Sequence, residues 1–481
     1  MEQKSFHKII FKNTGLFGVS QLIKILVRLF TNKVAALFLG PVGIGIIGLL
    51  ENTLGLLQGF TNFGIAESSV REIALADQEA DGVKAKRLIK IVYKWAFATG
   101  ILGFIVALFF SKQINHVVFD NKSHYLWIIS LSIYFLFTSI ATIRIAILQA
   151  KKRINLIVKY NISIAIISSI IAATGYYFYG IDGIIPVVIL TSFAALLLSL
   201  YFTRNIRVTA KKISIKQAYK EGFPIAKLGL LLSVSVIFGQ LCFYAIRWFL
   251  KEYYSYEILG VYQVSNTILV GYLGLVFAAM SNDFYPRLCN YENDKESFNN
   301  LVNDQTELAL LLVVPGVLLL YLVAPFLITF LYTPEFISVL HILKIGLVAI
   351  ILKAIVWPIG FIPLIKGNKM LFLKQNLLGD GVNVIASIFF FYYFGLIGLG
   401  MSMVTMFIVS GIYNYYVARW YYNFKFRKAT LKTIVFSLLI GVAVVIILLI
   451  TEFENFNVYI IIVTLLSIIY SLFQLKNKLK F

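Results

Sequence analysis

Residues 160–202 read YNISIAIISSIIAATGYYFYGIDGIIPVVILTSFAALLLSLYF. Two apolar runs, about 160–179 and 183–202, are parted only by Gly180-Ile181-Asp182, and Asp182 is the single charged residue in the stretch. A helix crosses the roughly 30 Å hydrocarbon core of a bilayer with about 20 apolar residues. Each run is therefore one crossing, and the turn between them allows only an immediate return. The same pattern extends along the 481 residues, giving fourteen expected spans at about 14–39, 43–65, 91–110, 125–149, 160–179, 183–202, 224–249, 258–280, 305–330, 337–365, 373–394, 396–418, 433–451 and 457–474. Composition agrees: the chain is 60% hydrophobic and 14% charged, against about 45–50% and 25% in soluble domains. The expected fold class is an all-α polytopic membrane protein with about 14 transmembrane helices.

The formal net charge of +21 suggests nucleic acid until the charges are placed. Of 43 Lys and Arg, 32 fall on one set of loops and ends, and only Lys112, Lys122 and Lys251 on the other. That is topogenic charge, so no nucleic-acid partner is expected, and the positive-inside rule puts both termini in the cytoplasm of a bacterial inner membrane. The first apolar run contains Lys24, Arg28 and Lys33, unlike the core of a cleaved signal peptide, and reads as a retained span. The longest periplasmic connection is about 111–124, so no soluble domain is inserted. Cys242 and Cys289 form neither a disulfide framework nor a metal cluster, and no cofactor or metal is expected.

A weak repeat has an offset of 214 residues: Lys33 with Arg247, and Asn52-Thr53-Leu54 with Asn266-Thr267-Ile268. Parallel repeats of this kind place a substrate site between two lobes. The expected organisation is a six-helix lobe over 1–210, a second over 211–420, and two additional helices with a basic tail over 421–481.

Eight cations lie inside spans: Lys24, Arg28, Lys33, Arg144, Lys227, Arg247, Lys344 and Lys353. Each costs roughly 2.5–3.5 kcal/mol at a span centre even on the lenient insertion scale. Arg144, Lys227 and Lys344 can snorkel from near the span ends. For Lys33 and Arg247, snorkelling and function are equally open. Lys24, Arg28 and Lys353 are deep enough to need a hydrated cavity. Lys24 and Arg28 stand at i and i+4, with Gln21 and Thr31 on the same face. Stacked like charges repel, which suits a dianion better than a structural role. Glu51, Gly55, Gln58 and Asn62 share a face of the second span; Ser233, Gln240 and Arg247 share one in the seventh, beside Tyr244. These faces could line one vestibule, although packing of Gly55 and the serines stays open. Lys33 projects nearly opposite Lys24, so both reach one cavity only if the first span bends. Arg forks and Lys point charges suit phosphate oxygens, making a diphosphate the natural guest. Glu51 and Asp380 are the only acids well inside spans and become candidates for energetic coupling.

The stretch Ser20-Gln-Leu-Ile-Lys24, Lys33 and Leu39-Gly40-Pro41-Val-Gly43 resembles the first span of Wzx-type flippases of the multidrug/oligosaccharidyl-lipid/polysaccharide exporter superfamily. Gln149-Ala-Lys-Lys-Arg153, Gly260-Val-Tyr-Gln263, Tyr285-Pro-Arg-Leu288 and Leu352-Lys353 through Trp357 and Gly360 fit the same pattern, which runs through spans 1–12. The likeness is greatest to O-antigen translocases and the lipid III flippases of enterobacterial common antigen. It implies two six-helix lobes of the MATE type opening alternately, and a cargo of undecaprenyl-pyrophosphate-linked oligosaccharide. Membrane lipids are implied partners, with a polysaccharide polymerase and a chain-length regulator as further candidates. The resemblance carries over Lys24, Lys33, Arg247 and Lys353 as cavity cations. Arg28 departs from the lipid III pattern and rests on geometry, as do Gln58 and Gln240. Spans 13 and 14 exceed the twelve of that subgroup and match lipid II flippases, the alternative within the superfamily. A polymerase or glycosyltransferase would need catalytic acids or bases on a larger periplasmic loop; His116, Asp120 and His124 form no such set. A drug/cation antiporter would need an acidic cavity rather than a basic one. The sequence thus reads as a transporter rather than an enzyme.

Overall fold

A computed structural model of the chain describes residues 2–77, 83–120, 125–206, 213–451 and 458–478. All the regular structure among the described residues is helical. Among the described residues, twelve stretches are long and apolar enough to cross a membrane. Two of them, Ile23–Asn62 with 40 residues and Ile154–Thr203 with 50, are long enough for two crossings each at 1.5 Å per residue. This multi-pass membrane protein divides into two compact units, Met1–Tyr244 and Ala245–Phe481.

The first unit begins with α1 (Glu2–Asn62), whose regular dihedrals are broken at Gly40 (φ 61°, ψ −167°), where Pro41 restarts the helix. There follow α2 (Ile65–Ala76), α3 (Val83–Phe109), α4 (Ser111–Phe119), α5 (Tyr125–Leu131), α6 (Ile133–Ala150), α7 (Ile154–Tyr179), α8 (Ile184–Thr203) and the start of α9 (Ile215–Tyr253). Pairs α1 with α7, α3 with α6, and α8 with α6 and α7 pack together. The N-terminal end of α9 is tied to α3 by Trp95 Nε1, which donates to the Ala218 carbonyl at 2.9 Å, and by Arg87, whose Nε donates to Glu221 at 2.8 Å. The bond from Arg87 holds the exposed Glu221 carboxyl below its ordinary range.

The second unit holds the rest of α9, then α10 (Tyr256–Asn266), α11 (Leu273–Asn290), α12 (Lys295–Leu331), α13 (Val339–Gly360), α14 (Ile362–Ile365), α15 (Lys369–Phe394), α16 (Leu396–Tyr422), α17 (Lys428–Thr451) and α18 (Val458–Lys478). Its heart is α13, with most residues buried between α12, α16 and α17. The additional pair α17 and α18 is packed on α12. The linker before α17 is clipped to α12: Asn303 Nδ2 donates to the Lys425 carbonyl (3.1 Å), and the Arg427 amide donates to Asn303 Oδ1 (2.8 Å). Arg427 also bonds Asp304 and lies 3.3 Å from the buried Glu307, which accepts from Thr430 as well. Asn303→Ala removes both backbone bonds at a site only 1% exposed. The expected loss is about 1–3 kcal/mol, read as a lower thermal midpoint in detergent.

One turn occurs twice. Gly180 (φ 53°, ψ −132°) ends α7 and Gly395 (φ 58°, ψ −138°) ends α15, 215 positions later, in a conformation that side chains avoid. Three residues after each stands a second glycine, Gly183 or Gly398, pressed against the backbone carbonyl of Gly175 or Phe390 respectively. Those carbonyls are again 215 positions apart. The two units thus share a helical hairpin of the same local design.

Candidate functional site

Each unit has a cavity of about 310 Å³ lined by polar side chains set among apolar ones. In the first unit α1 ends at two successive left-handed residues, Phe63 (φ 50°) and Gly64 (φ 55°). Backbone meets backbone here, since a Cβ on Gly229 of α9 would overlap the Phe63 and Gly64 carbonyl oxygens. This approach brings the Gln58 and Asn62 face of α1 to the Ser233 and Gln240 face of α9, and all four line the cavity. Gly55 faces the tip of Gln240 at the contact: a Cβ there would lie 2.8 Å from Oε1, and only that side-chain end would have to turn aside. From α6, Ser139 Oγ donates to Asn62 Oδ1 at 2.7 Å and stands 3.5 Å from Thr99 Oγ1 of α3. Gln240 Oε1 is buried and has no hydrogen-bond partner. The lining mixes amides and hydroxyls with glycines and aliphatic side chains, and Glu67 is its one ionisable member among the described residues.

Lys24, Arg28 and Lys33 lie elsewhere along α1. Lys24 and Arg28 line neither cavity. Lys24 is half-buried and Arg28 exposed, one turn apart on α1, and neither pairs with a carboxylate among the described residues. Thr31, further along the same face, donates to Ser169 of α7 at 3.0 Å, so that face borders α7. No break in α1 separates Lys24 from Lys33; the interruption comes later, at Gly40. Nine residues at 100° each keep the two lysines on opposite sides. The bend that would aim both at one cavity is absent, and Lys33 has interactions of its own. Glu51 is exposed and outside the lining.

Arg247 belongs to the second unit and is 8% exposed. Its Nε and Nη2 donate to Gln263 Oε1 of α10 at 3.3 and 2.8 Å, and its guanidinium carbon lies 5.7 Å from the Tyr262 ring centroid. A buried arginine held this way is a fixed charge. Gln263→Ala should loosen it and lower stability by about 1–3 kcal/mol, measurable as a shifted thermal midpoint.

The second cavity brings Lys353 of α13 and Asp380 of α15 together. Lys353 Nζ lies 4.9 Å from the Phe277 ring centroid. Opposite it, α15 and α16 run antiparallel with polar or small residues in register: Ser387 donates to Ser402 at 2.9 Å, and a Cβ on Gly379 would be 3.0 Å from Ser410 Oγ. One step further, the same register sets Gln375 against Asn414. Sequence reasoning missed Gln375, Ser410 and Asn414 because they are uncharged. The available signal was the four-residue recurrence Gln375, Gly379, Asn383, Ser387 within an apolar span.

Residues 10–292, more than half the chain, match a family model described as polysaccharide biosynthesis protein. No curated protein matches the chain. Among solved structures it is similar to a lipid II flippase, MurJ, in an inward closed conformation, with a TM-score of 0.70 and 16% identity over 97% of this chain and 100% of that one. It is also similar to an inward-facing multidrug resistance MATE family transporter of the MOP superfamily, with a TM-score of 0.63 and 14% identity over 85% of this chain and 96% of the other. A mutant of the Vibrio cholerae MATE transporter VcmN aligns with a TM-score of 0.58 and 14% identity over 85% and 97% respectively. At such identities the likeness is one of fold, a MurJ/MATE-like helical architecture. By the match over residues 10–292, the chain belongs to the polysaccharide biosynthesis protein family.

Proposed function

We propose that this protein moves an undecaprenyl-pyrophosphate-linked oligosaccharide, an O-antigen or lipid III-like repeat unit, from the cytoplasmic to the periplasmic leaflet of a bacterial inner membrane. The observation that carries this reading is the cationic pair on α1. Lys24 and Arg28 project one turn apart from an apolar helix, with no carboxylate partner among the described residues. A cation kept in a span at a cost of roughly 2.5–3.5 kcal/mol is a functional group by default, and two at this spacing suit the oxygens of a diphosphate. Family membership supplies the polysaccharide connection, and a MurJ-like fold supports a lipid-linked cargo. Both termini lie in the cytoplasm in this reading. The head group binds the α1 cations, sugars are carried past hydrated amides and hydroxyls, and the tail stays in lipid. Binding favours the outward-open state only through higher affinity for it. Glu51 and Asp380 are the acids available to couple the return step. A polymerase and a chain-length regulator would take over the delivered unit.

One second reading, a lipid II-type cargo, is supported by the likeness in fold to a lipid II flippase. Deleting the gene in its native host separates the two. Complete repeat units on polyprenyl pyrophosphate should accumulate on the cytoplasmic face, protected from glycosidase in spheroplasts and digested after lysis. Accumulated lipid II would support the second reading. Complete units on the outer face, truncated units or no accumulation would contradict both.

A further inference from the structure

The cavity of the second unit has two features the first lacks: charges of both signs and an aromatic wall. Trp357 and Phe361 form part of that wall. Gln375 is 5% exposed, and neither its Nε2 nor its Oε1 has a hydrogen-bond partner; Asn414 is 7% exposed, and its Oδ1 has none. The two amides stand across from each other on α15 and α16, line the same cavity, and do not bond each other. Lys353 and Asp380 share the cavity without an ion pair between them. Buried amides are nearly always satisfied, so several unbonded atoms around one space mark a site built for a guest. Water meets these few polar atoms when no guest is bound.

The lining specifies that guest. A diphosphate only accepts hydrogen bonds, so it would turn its oxygens on the Asp380 carboxylate and on the free carbonyl oxygens of Gln375 and Asn414. An ammonium or metal cation would leave the Lys353 ammonium opposed. Donors and acceptors in balance, beside flat apolar rings, suit a ligand with hydroxyls around its rim and C–H bonds on its faces. At about 310 Å³ the cavity is at the small end of ligand sites, roughly 300–1,000 Å³, with room for one ring. We propose that it is a sugar subsite holding a single pyranose residue, with Gln375 and Asn414 reading its hydroxyl or acetamido groups and Lys353 and Asp380 fixing its rim. Lys353 is then a sugar ligand, and the diphosphate binds elsewhere. This deepens the translocation reading and rests on it for the source of the sugar.

The test uses the full-length protein in detergent. It is titrated with methyl glycosides of glucose, galactose, N-acetylglucosamine and N-acetylgalactosamine, and separately with inorganic pyrophosphate. Thermal midpoint and tryptophan fluorescence report binding. At least one glycoside should raise the midpoint and change the fluorescence. Gln375→Met and Asn414→Leu replace unbonded polar groups with apolar ones of similar size, so the free variants should melt no lower than the wild type. Each should nevertheless bind that glycoside at least about tenfold more weakly, with pyrophosphate binding unchanged. The subsite is overturned if no glycoside responds, if both variants bind glycoside normally, if the free variants melt lower, or if pyrophosphate affinity falls in them. Failure of the translocation reading is separate: a glycoside response that depends on Gln375, in a protein whose deletion traps no lipid-linked sugar, keeps the subsite and removes the cargo.

Discussion

Lys24→Ala is expected to reach the membrane in normal amount and to translocate about ten- to a hundredfold more slowly than the wild type. Loss of one charge-assisted contact to a phosphate is worth about 1.5–3 kcal/mol, which sets that range. The effect on insertion has the opposite sign. Removing a cation from a span relieves roughly 2.5–3.5 kcal/mol, and Lys24 has no carboxylate partner among the described residues to be left behind. A purely structural lysine would lower abundance and activity together; a ligand lysine lowers activity alone. Lys24→Arg keeps the charge and should recover most of the rate. The double variant Lys24→Ala/Arg28→Ala should fall below either single one, because both side chains meet the same dianion. Membrane abundance by immunoblot and transport in the same preparation decide the matter. Equal losses in both would place Lys24 in the fold rather than the site.

Gly229→Val should have the largest effect on folding in the first unit. A Cβ at that position meets the Phe63 and Gly64 carbonyl oxygens, which belong to backbone. Unlike a flexible side-chain tip, neither can turn aside, and both residues already hold positive φ values at the end of α1. Overpacking a tight contact typically costs about 1–3 kcal/mol. Here the strain falls on the approach that carries Gln58 and Asn62 to Ser233 and Gln240, so the cavity is lost with it. The expected result is a strongly reduced yield of folded protein, with a broadened thermal transition in what remains. Gly271→Val serves as the control, since a Cβ there meets nothing closer than 3.9 Å. Equal yields from both variants would remove the close approach as a determinant of the fold.

The class of fold was legible because the bilayer demands so much of each crossing. Runs of about 20 apolar residues and the placement of basic loops are one-dimensional features, and the helical stretches coincide with them. The breaks at Gly40 and Gly180 are where the sequence shows Gly40-Pro41 and Gly180-Ile-Asp-Gly183. The faces of Gln58 and Gln240 were legible from helical spacing, and they share one cavity. Other features depend on pairing. Helical geometry put Lys33 opposite Lys24, and only the structure shows that no bend intervenes. Gln375 and Asn414 carry no charge to attract attention, and their significance appears once α15 and α16 are set antiparallel in register. Arg247 read equally well as snorkelling or functional; its bonds to Gln263 sixteen residues away fix its position without deciding its task.

Translocation itself is the central claim, and reconstitution tests it most directly. The purified protein is placed in liposomes whose inner leaflet alone carries a polyprenyl-pyrophosphate-linked oligosaccharide. A glycosidase or lectin added outside then reports the arrival of sugar. Protein-dependent exposure of the cargo, faster than in empty liposomes and lost in Lys24→Ala, is the expected result. Exposure at the rate of empty liposomes, by folded protein supplied with the units that accumulate in its deletion strain, would contradict it.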